Sequence, residues 1–432
     1  MTVEKPREIA LRLLLRRTAG KDYVENLLDA ELAGSRLSGA DRGLLQELAY
    51  GVVRWQATLD WLIGRKTSGR TQKPGLQILL QLALYQMFWL SRIPDHAAVN
   101  ETVEMAKRQG FGQQAGFVNA VLRGYLRERA QTEQLLQDLK CNDLALGYSH
   151  PKWLCERWEK TYGRENLVRL LEWNNTPPAI YARVNTLRAD ANKLREQWAQ
   201  EKVEAKLVST EWGGHALTYE LQSFPSLATL KSFNDGWFYV QDPSTLLAVA
   251  ELNPQPGETV LDYCSAPGGK TTFIAERTGN SGRLVAHDTS PDRIELVEEN
   301  CARLGVTCVQ TALPSTLDSQ LPTQVDRILV DAPCSNTGVM RRRVDLRWRI
   351  RAPEIARLCA TQLELLRAAA RWLKPGGTLV YSTCSLEPEE NSGVVRELLK
   401  ENPALHFQRE RTLTPWEHSV DGAYVARFVR GA

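Results

Sequence analysis

The chain lacks any long hydrophobic run. No stretch of its 432 residues approaches the roughly 18 consecutive apolar residues that a membrane-spanning helix needs. Its opening, "MTVEKPREIALRLLLRR", carries acids and no small-residue cleavage site, so a signal peptide is not expected and the cytoplasm is. Charge of one sign is also scarce. The 54 Lys and Arg against 51 Asp and Glu leave a net +3, which neither demands nor excludes a nucleic-acid partner; local clustering has to carry that question. None of the eight cysteines pairs as C-x-x-C, so a zinc ribbon or thioredoxin-type site is not expected and the thiols should be reduced. No metal site is expected. Apolar content is ordinary, and a chain of this length predicts two or three domains.

What is present changes character along the chain. Residues 1–140 repeat apolar side chains at helical spacing, as in Leu44, Leu45, Leu48 and Val52, then Leu76, Leu79 and Leu82. Breaks fall at "AGSRLSGAD" and "SRIPDHAAVN", which predicts an all-α accessory domain. Residues 141–250 read as linker helices followed by a small α+β module. Trp153, Trp158 and Trp173 punctuate a helix, "IYARVNTL" alternates like a strand, and a charged helix spans 191–202. The tryptophans are expected mostly in the core. Aromatics interleaved with Arg183, Arg188 and Lys231 would also suit RNA.

From 251 to 432 strands and helices alternate. "TVLDY", "GRLVAHD", "VTCVQ", "DRILVDAPC" and "GGTLVYSTC" are each followed by a turn or helix. That rhythm predicts an α/β, doubly wound parallel sheet of Rossmann-like type. "DGAYVARFVR" predicts a final antiparallel strand. Right-handed crossovers bring the C-terminal ends of parallel strands to one edge, where such folds bind ligands. Four polar landmarks fall just past those ends: the Cys264–Lys270 turn, Asp288, Asp331 to Cys334, and Thr383-Cys384.

The first landmark, "TVLDYCSAPGGKTT", is nearly a P-loop, but Cys264 stands where its first Gly belongs. Pro267 removes one backbone N–H from the cradle. Asp262 and Asp288 put negative charge where phosphates would sit, and Asp331, posing as a magnesium ligand, runs straight into Pro-Cys. A triphosphate site is therefore disfavoured. Asp288 follows the turn by roughly 20 residues, the spacing of a carboxylate that meets ribose hydroxyls, so a nucleoside-bearing cofactor fits better. Cys334 and Cys384 close what should be adjacent strands. Singly each would be an inert core thiol; together, beside such a turn, they suggest thiol chemistry on a substrate.

These motifs carry a resemblance. "CSAPGGKTT", "DAPCSNTGV", "YSTCSLEPEEN" and "PPAIYARVNTLR" resemble the RNA cytosine-C5 methyltransferase family. "DRGLLQELAYGVVRW", "RIPDHAAVNETVEMAK" and "GFVNAVLRG" resemble the NusB-like helical domain. The resemblance covers nearly the whole chain. It implies an S-adenosylmethionine-dependent enzyme that methylates C5 of a cytosine in small-subunit (16S) rRNA. By resemblance Cys384 is the nucleophile that adds to C6, Cys334 assists release, and Asp331 meets the cytosine N3 edge near the cofactor. Cys264, Ser265, Ala266, Pro267, Gly268, Gly269, Lys270 and Asp288 would hold S-adenosylmethionine. Lys270 reads equally well as a plain first-turn helix residue.

"MRRRVDLRWRIR" holds six arginines from Arg341 to Arg351. A solvated face is the ordinary meaning of such a run. Its place directly after "DAPCSNTG" favours RNA contact through Arg341, Arg342, Arg343 and Arg347, with binding that weakens in salt. Two departures from the family pattern stand out. The place of the adenine-contacting acid reads "VQTALPS", with Thr311 and Ala312 there and Asp318 only nearby, and Val344 replaces a common Pro. Activity as a monomer is still expected. A tRNA substrate, or an RNA-binding ribosome assembly factor without turnover, are the alternatives.

Overall fold

The computed structural model describes residues 5–213, 218–321 and 324–431. They divide into two compact units. One contains the chain to Thr176 together with Met340–Arg349; the other contains Pro177–Val339 and the chain from Ile350.

The first unit is helical among its described residues. Its main helices are Pro6–Ala19, Val24–Ala33, Gly39–Arg54, Gln56–Lys66, Pro74–Trp89, Asp95–Arg108, Ala115–Arg127, Arg129–Asn142 and Lys152–Asn175. Local signals set several starts. Pro occupies the first turn of Pro6–Ala19 and Pro74–Trp89, and the Ser38 hydroxyl accepts from the Asp41 N–H to cap the third helix. Pro74–Trp89 is buried nearly all round, as a central helix must be when others surround it. Leu45, Leu48, Leu79, Leu82 and Leu122 share the core. The helical region runs on past residue 140 because Trp158, Leu167, Leu170 and Leu171 are buried, so the helix Lys152–Asn175 has an apolar face to cover. Trp158 is a core residue, whereas Trp153 and Trp173 are half-buried, so the expectation that most of these tryptophans lie in the core holds for one of the three.

The second unit holds two sheets. The smaller contains β1 (Ile180–Val184), β2 (Glu204–Val208), β3 (Thr218–Ser223) and β4 (Phe238–Val240), in the order β2-β3-β1-β4. All of its pairings are antiparallel. Helix Ala191–Glu201 covers one face through Leu194 and Trp198. The larger sheet contains β5 (Thr259–Asp262), β6 (Arg283–His287), β7 (Val309–Ala312), β8 (Val325–Asp331), β9 (Leu373–Thr383), β10 (Leu405–Leu413) and β11 (Ala423–Arg430). Its order is β10-β11-β9-β8-β5-β6-β7. β5 to β9 pair in parallel, whereas β11 is antiparallel to both neighbours. Val260, Leu261, Val285, Ile328, Leu329 and Val380 are fully or nearly fully buried, the continuous apolar pattern of strands covered on both faces. The doubly wound sheet and the antiparallel last strand both match expectation.

Strand order reverses between β5 and β8. One run leaves β5 through β6 to β7; the other goes through β8 to β9. The crevice at such a switch point is where open α/β sheets bind ligands. The Cys264–Lys270 turn follows β5, and Asp331 to Cys334 follow β8, so the two best-marked motifs flank that crevice.

Candidate active site

The turn after β5 is built for close backbone approach. Ala266-Pro267 is cis, and Gly268 has φ +98°, a region that costs other residues strain. A Cβ on Gly269 would stand 2.9 Å from the Tyr239 ring, so glycine there lets helix Gly269–Arg277 start against β4. Asp288, at the end of β6, is nearly buried. It accepts from the Ala266 N–H at 3.2 Å and the Thr289 N–H at 2.8 Å. The ribose-type acid therefore also ties the turn to the next strand. Arg293 pairs with it at 3.3 Å.

The turn lies in a negative field. Asp262 is fully buried and accepts from the Thr271 hydroxyl at 2.7 Å; burial pushes its pKa up to about 7. Burial, and then Asp331, Asp262 and Asp288, raise the Cys264 thiol far above its ordinary range. Lys270 answers this charge. Its Nζ donates to Asp331 Oδ2 at 2.5 Å. Burial opposes the charge on Lys270, yet the Asp331 carboxylate holds its pKa above the ordinary lysine value, and Cys384 acts in the same direction. Lys270 thus does more than open a helix. Among the described residues no three His, Cys, Asp or Glu side chains gather as a metal site.

The two thiols meet. β8 and β9 are paired neighbours, with Asp331 opposite Ser382, and beyond them Cys334 Sγ lies 3.2 Å from Cys384 Sγ. The Cys384 thiol donates to Asn336 Oδ1 at 3.0 Å, and its backbone N–H points to Cys334 Sγ at 3.4 Å. The hydrogen bond with Cys384, then burial, pushes the Cys334 thiol well above the ordinary cysteine value. Cys384 is the more accessible of the pair. Such an arrangement suits one thiol attacking while the other exchanges a proton beside it.

Not every expected site residue falls here. Arg341 and Arg347, read from the sequence as RNA contacts, are buried in the helical unit. The Arg341 guanidinium stacks over Trp173 with 3.8 Å to the ring centroid. Arg347 is fully buried and donates to the carbonyls of Arg54, Ser149 and Asn174 and to the Asn175 side chain. Arg343 is exposed and Arg342 half-exposed. The run is thus half clamp, because Val344 and Asp345 between them are also buried, Asp345 pairing with Arg17 at 2.7 Å. Arg183 is likewise inside, paired with buried Glu276 at 2.7 Å and donating to the Gly269 carbonyl at 3.0 Å. It supports the turn and is not open to RNA. At the end of β7, Thr311 donates to Glu298 at 2.6 Å and Ala312 is buried; Asp318 lies exposed on the short helix Leu317–Gln320.

Comparison with known proteins bears on this edge. Residues 249–429 match the family model described as 16S rRNA methyltransferase RsmB/F, 4–127 match the NusB family, and 150–220 match the ferredoxin-like domain of RsmF/B-like methyltransferases. A probable ribosomal RNA small subunit methyltransferase B of Bacillus subtilis is 37% identical over 405 residues, covering 92% of this chain and 88% of that protein. Its counterpart in Synechocystis is 38% identical over 445 residues and 98% of each chain. The chain belongs to the ribosomal RNA small subunit methyltransferase B family. As a member it is an S-adenosylmethionine-dependent methyltransferase. The RsmB/F match takes in β5 to β10 and nearly all of β11, with both cysteine loops. The crystal structure of a methyltransferase homolog protein from Pyrococcus horikoshii has a TM-score of 0.58 at 29% identity, covering 67% of this chain and 98% of that one.

Two residues that touch the cysteine loops escaped sequence reading. Glu390 and Gln362 lie wholly buried beneath them. The only signal was an acid within "EPEEN" that sits too close to a core strand to be solvated.

Proposed function

We propose that the chain transfers a methyl group to C5 of a cytosine in small-subunit ribosomal RNA through a covalent cysteine adduct. The observation that carries this reading is the 3.2 Å approach of Cys334 and Cys384, beside an Asp331–Lys270 pair at the switch point. S-adenosylmethionine, when bound, supplies an electrophilic methyl. The residues present fit it: the buried Asp262 carboxyl at the turn has one oxygen without a partner among the described residues, and Gly268 and Gly269 let its polar end approach backbone. Asp288 would take the ribose.

Cytosine C5 is a weak nucleophile. The Cys384 thiolate forms a bond to C6, and the electrons of the C5–C6 bond become available at C5. Asp331 holds the N3 edge, where charge accumulates. After C5 is alkylated, loss of its proton restores the double bond and expels Cys384, and Cys334 is the group placed to assist that release. The target base has to leave any helix for C6 to be reached. Arg342 and Arg343 are assigned to the RNA backbone, and the NusB-like and ferredoxin-like parts to holding the RNA. The protein is read as a cytoplasmic monomer.

The test is Cys334→Ala mixed with S-adenosylmethionine and host RNA, run on a denaturing gel. A slow band is expected, containing RNA bonded to Cys384, and it should vanish in Cys334→Ala/Cys384→Ala. Sequencing the trapped RNA names the substrate; a tRNA would overturn the ribosomal assignment. No band, with no 5-methylcytosine made by the wild type on RNA or on assembling subunits, would sink the catalytic reading.

A further inference from the structure

Two loops from different strands must hold their sulfurs a fixed distance apart. Neither loop is regular structure, so something has to set the spacing. Glu390 lies six residues past Cys384 and is fully buried. Its Oε1 accepts from the Ser335 N–H at 2.8 Å and from Gln362 Nε2 at 2.9 Å. Its Oε2 accepts from the Ser385 hydroxyl at 2.5 Å and from the Ser335 hydroxyl. Ser335 directly follows Cys334, and Ser385 directly follows Cys384. The two hydroxyls also lie 3.0 Å apart.

The rest of the network has the same aim. Gln362 donates to the carbonyl of Pro333, just before Cys334, at 3.0 Å. The Tyr381 hydroxyl donates to the Glu390 carbonyl at 2.6 Å. Asn391 donates to the Ser385 carbonyl at 2.9 Å and accepts from the Thr383 hydroxyl at 2.6 Å. A carboxyl in such a place is costly, since an apolar side chain would fill the volume without desolvation. Both oxygens of the Glu390 carboxyl are hydrogen-bonded, although Gln362 Oε1 has no partner among the described residues, and such a network does something an apolar plug cannot: it specifies one geometry.

We infer that Glu390 is a positioning residue, whose carboxyl bridges the Cys334 and Cys384 loops and sets the spacing of their thiols. The inference deepens the proposed function, on which it rests for giving both thiols a part in the reaction.

The spacing can be read without RNA. Phenylarsine oxide condenses with two neighbouring thiols, forming two As–S bonds and releasing water, and a small dithiol strips it off again. On the full chain, intact mass should show an arsenical bridge that is lost in Cys334→Ala and in Cys384→Ala. Glu390→Ala should release it at about tenfold lower dithiol, because chelation depends on the second thiol being held in place. In methyl transfer the same variant should lose about 100-fold in kcat, with KM for RNA and cofactor within about twofold, the signature of misplaced groups. Glu390→Gln keeps the shape and most of the hydrogen bonds and should recover the larger part of both losses. Thermal melts establish that each variant is folded. If Glu390→Ala is not, Ser335→Ala/Ser385→Ala keeps the acid, cuts its hydroxyl contacts and is expected to give the same pair of effects. A folded variant with unchanged arsenical affinity, or with unchanged kcat, overturns the inference. If the wild type makes no 5-methylcytosine while the arsenical results are as expected, the proposed function falls and the bridging role stands on the thiol spacing alone.

Discussion

At Asp262 a carboxyl has been placed where water does not reach. One oxygen takes the Thr271 hydroxyl; the other finds no hydrogen-bond partner among the described residues. Burial is the largest reason its pKa rises from 3.8 to about 7. An acid held this way keeps its proton in the folded chain at pH values where the unfolded chain has released it. Its contribution to stability therefore declines as pH climbs from about 4 to about 7 and is flat above that. Asp262→Asn keeps the acceptor for Thr271 and cannot ionise. Denaturation midpoints of the two proteins at pH 4.5 and pH 8 should show the wild type losing ground to the variant at the higher pH. An equal gap at both values would mean that Asp262 is ionised with a pKa near the ordinary range. Bound cofactor, being cationic, should favour the carboxylate and shrink the effect.

At the scale of elements, the strap Met340–Arg349 divides its residues between two tasks. Arg347 is an internal donor to three carbonyls and an amide. Arg347→Met leaves those acceptors unserved and should destabilise the helical unit by about 2–4 kcal/mol, since buried hydrogen bonds to charged groups are worth about 1.5–3 each, less the relief of a desolvated charge. Arg343→Ala, on the exposed side, should leave the melting temperature alone, weaken RNA binding a few-fold and reduce its salt slope by about one. The reverse pattern, with Arg347→Met stable and Arg343→Ala indifferent to RNA, would show that burial here is no guide to role. This strap also marks the limit of what the sequence made legible. The parallel strands could be read because covered strands are continuous apolar runs ended by turns, and the thiols because both close such runs. Arg341 and Arg347 could not, because six arginines in eleven positions look solvated until one sees which face meets Trp173 and which meets the ends of helices. Glu390 was hidden for the same reason. Two of its partners, Ser335 and Gln362, are distant in sequence, and none of the contacts, the nearby Ser385 included, follows a spacing rule.

For the whole molecule, the notable property is that neither unit is a continuous piece of chain. The helical unit is completed by ten residues that arrive after Val339, and Val344 joins its core. Its stability must therefore depend on a segment whose neighbours in sequence belong to the other unit. Replacing Val344, Asp345, Arg347 and Trp348 with Gly or Ser would remove a core side chain, the partner of Arg17, the buried donor and the indole N–H that meets the Val53 carbonyl at 2.7 Å. The sheet unit would keep every residue of its own. In a calorimetric scan the variant should show an early transition from the helical unit. S-adenosylhomocysteine, which should stabilise only what binds it, by an amount set by its concentration over its dissociation constant, should raise a second, later transition and leave the early one in place. One transition that moves as a whole with ligand would mean that the two units unfold together, with the strap too small a part of either to separate them.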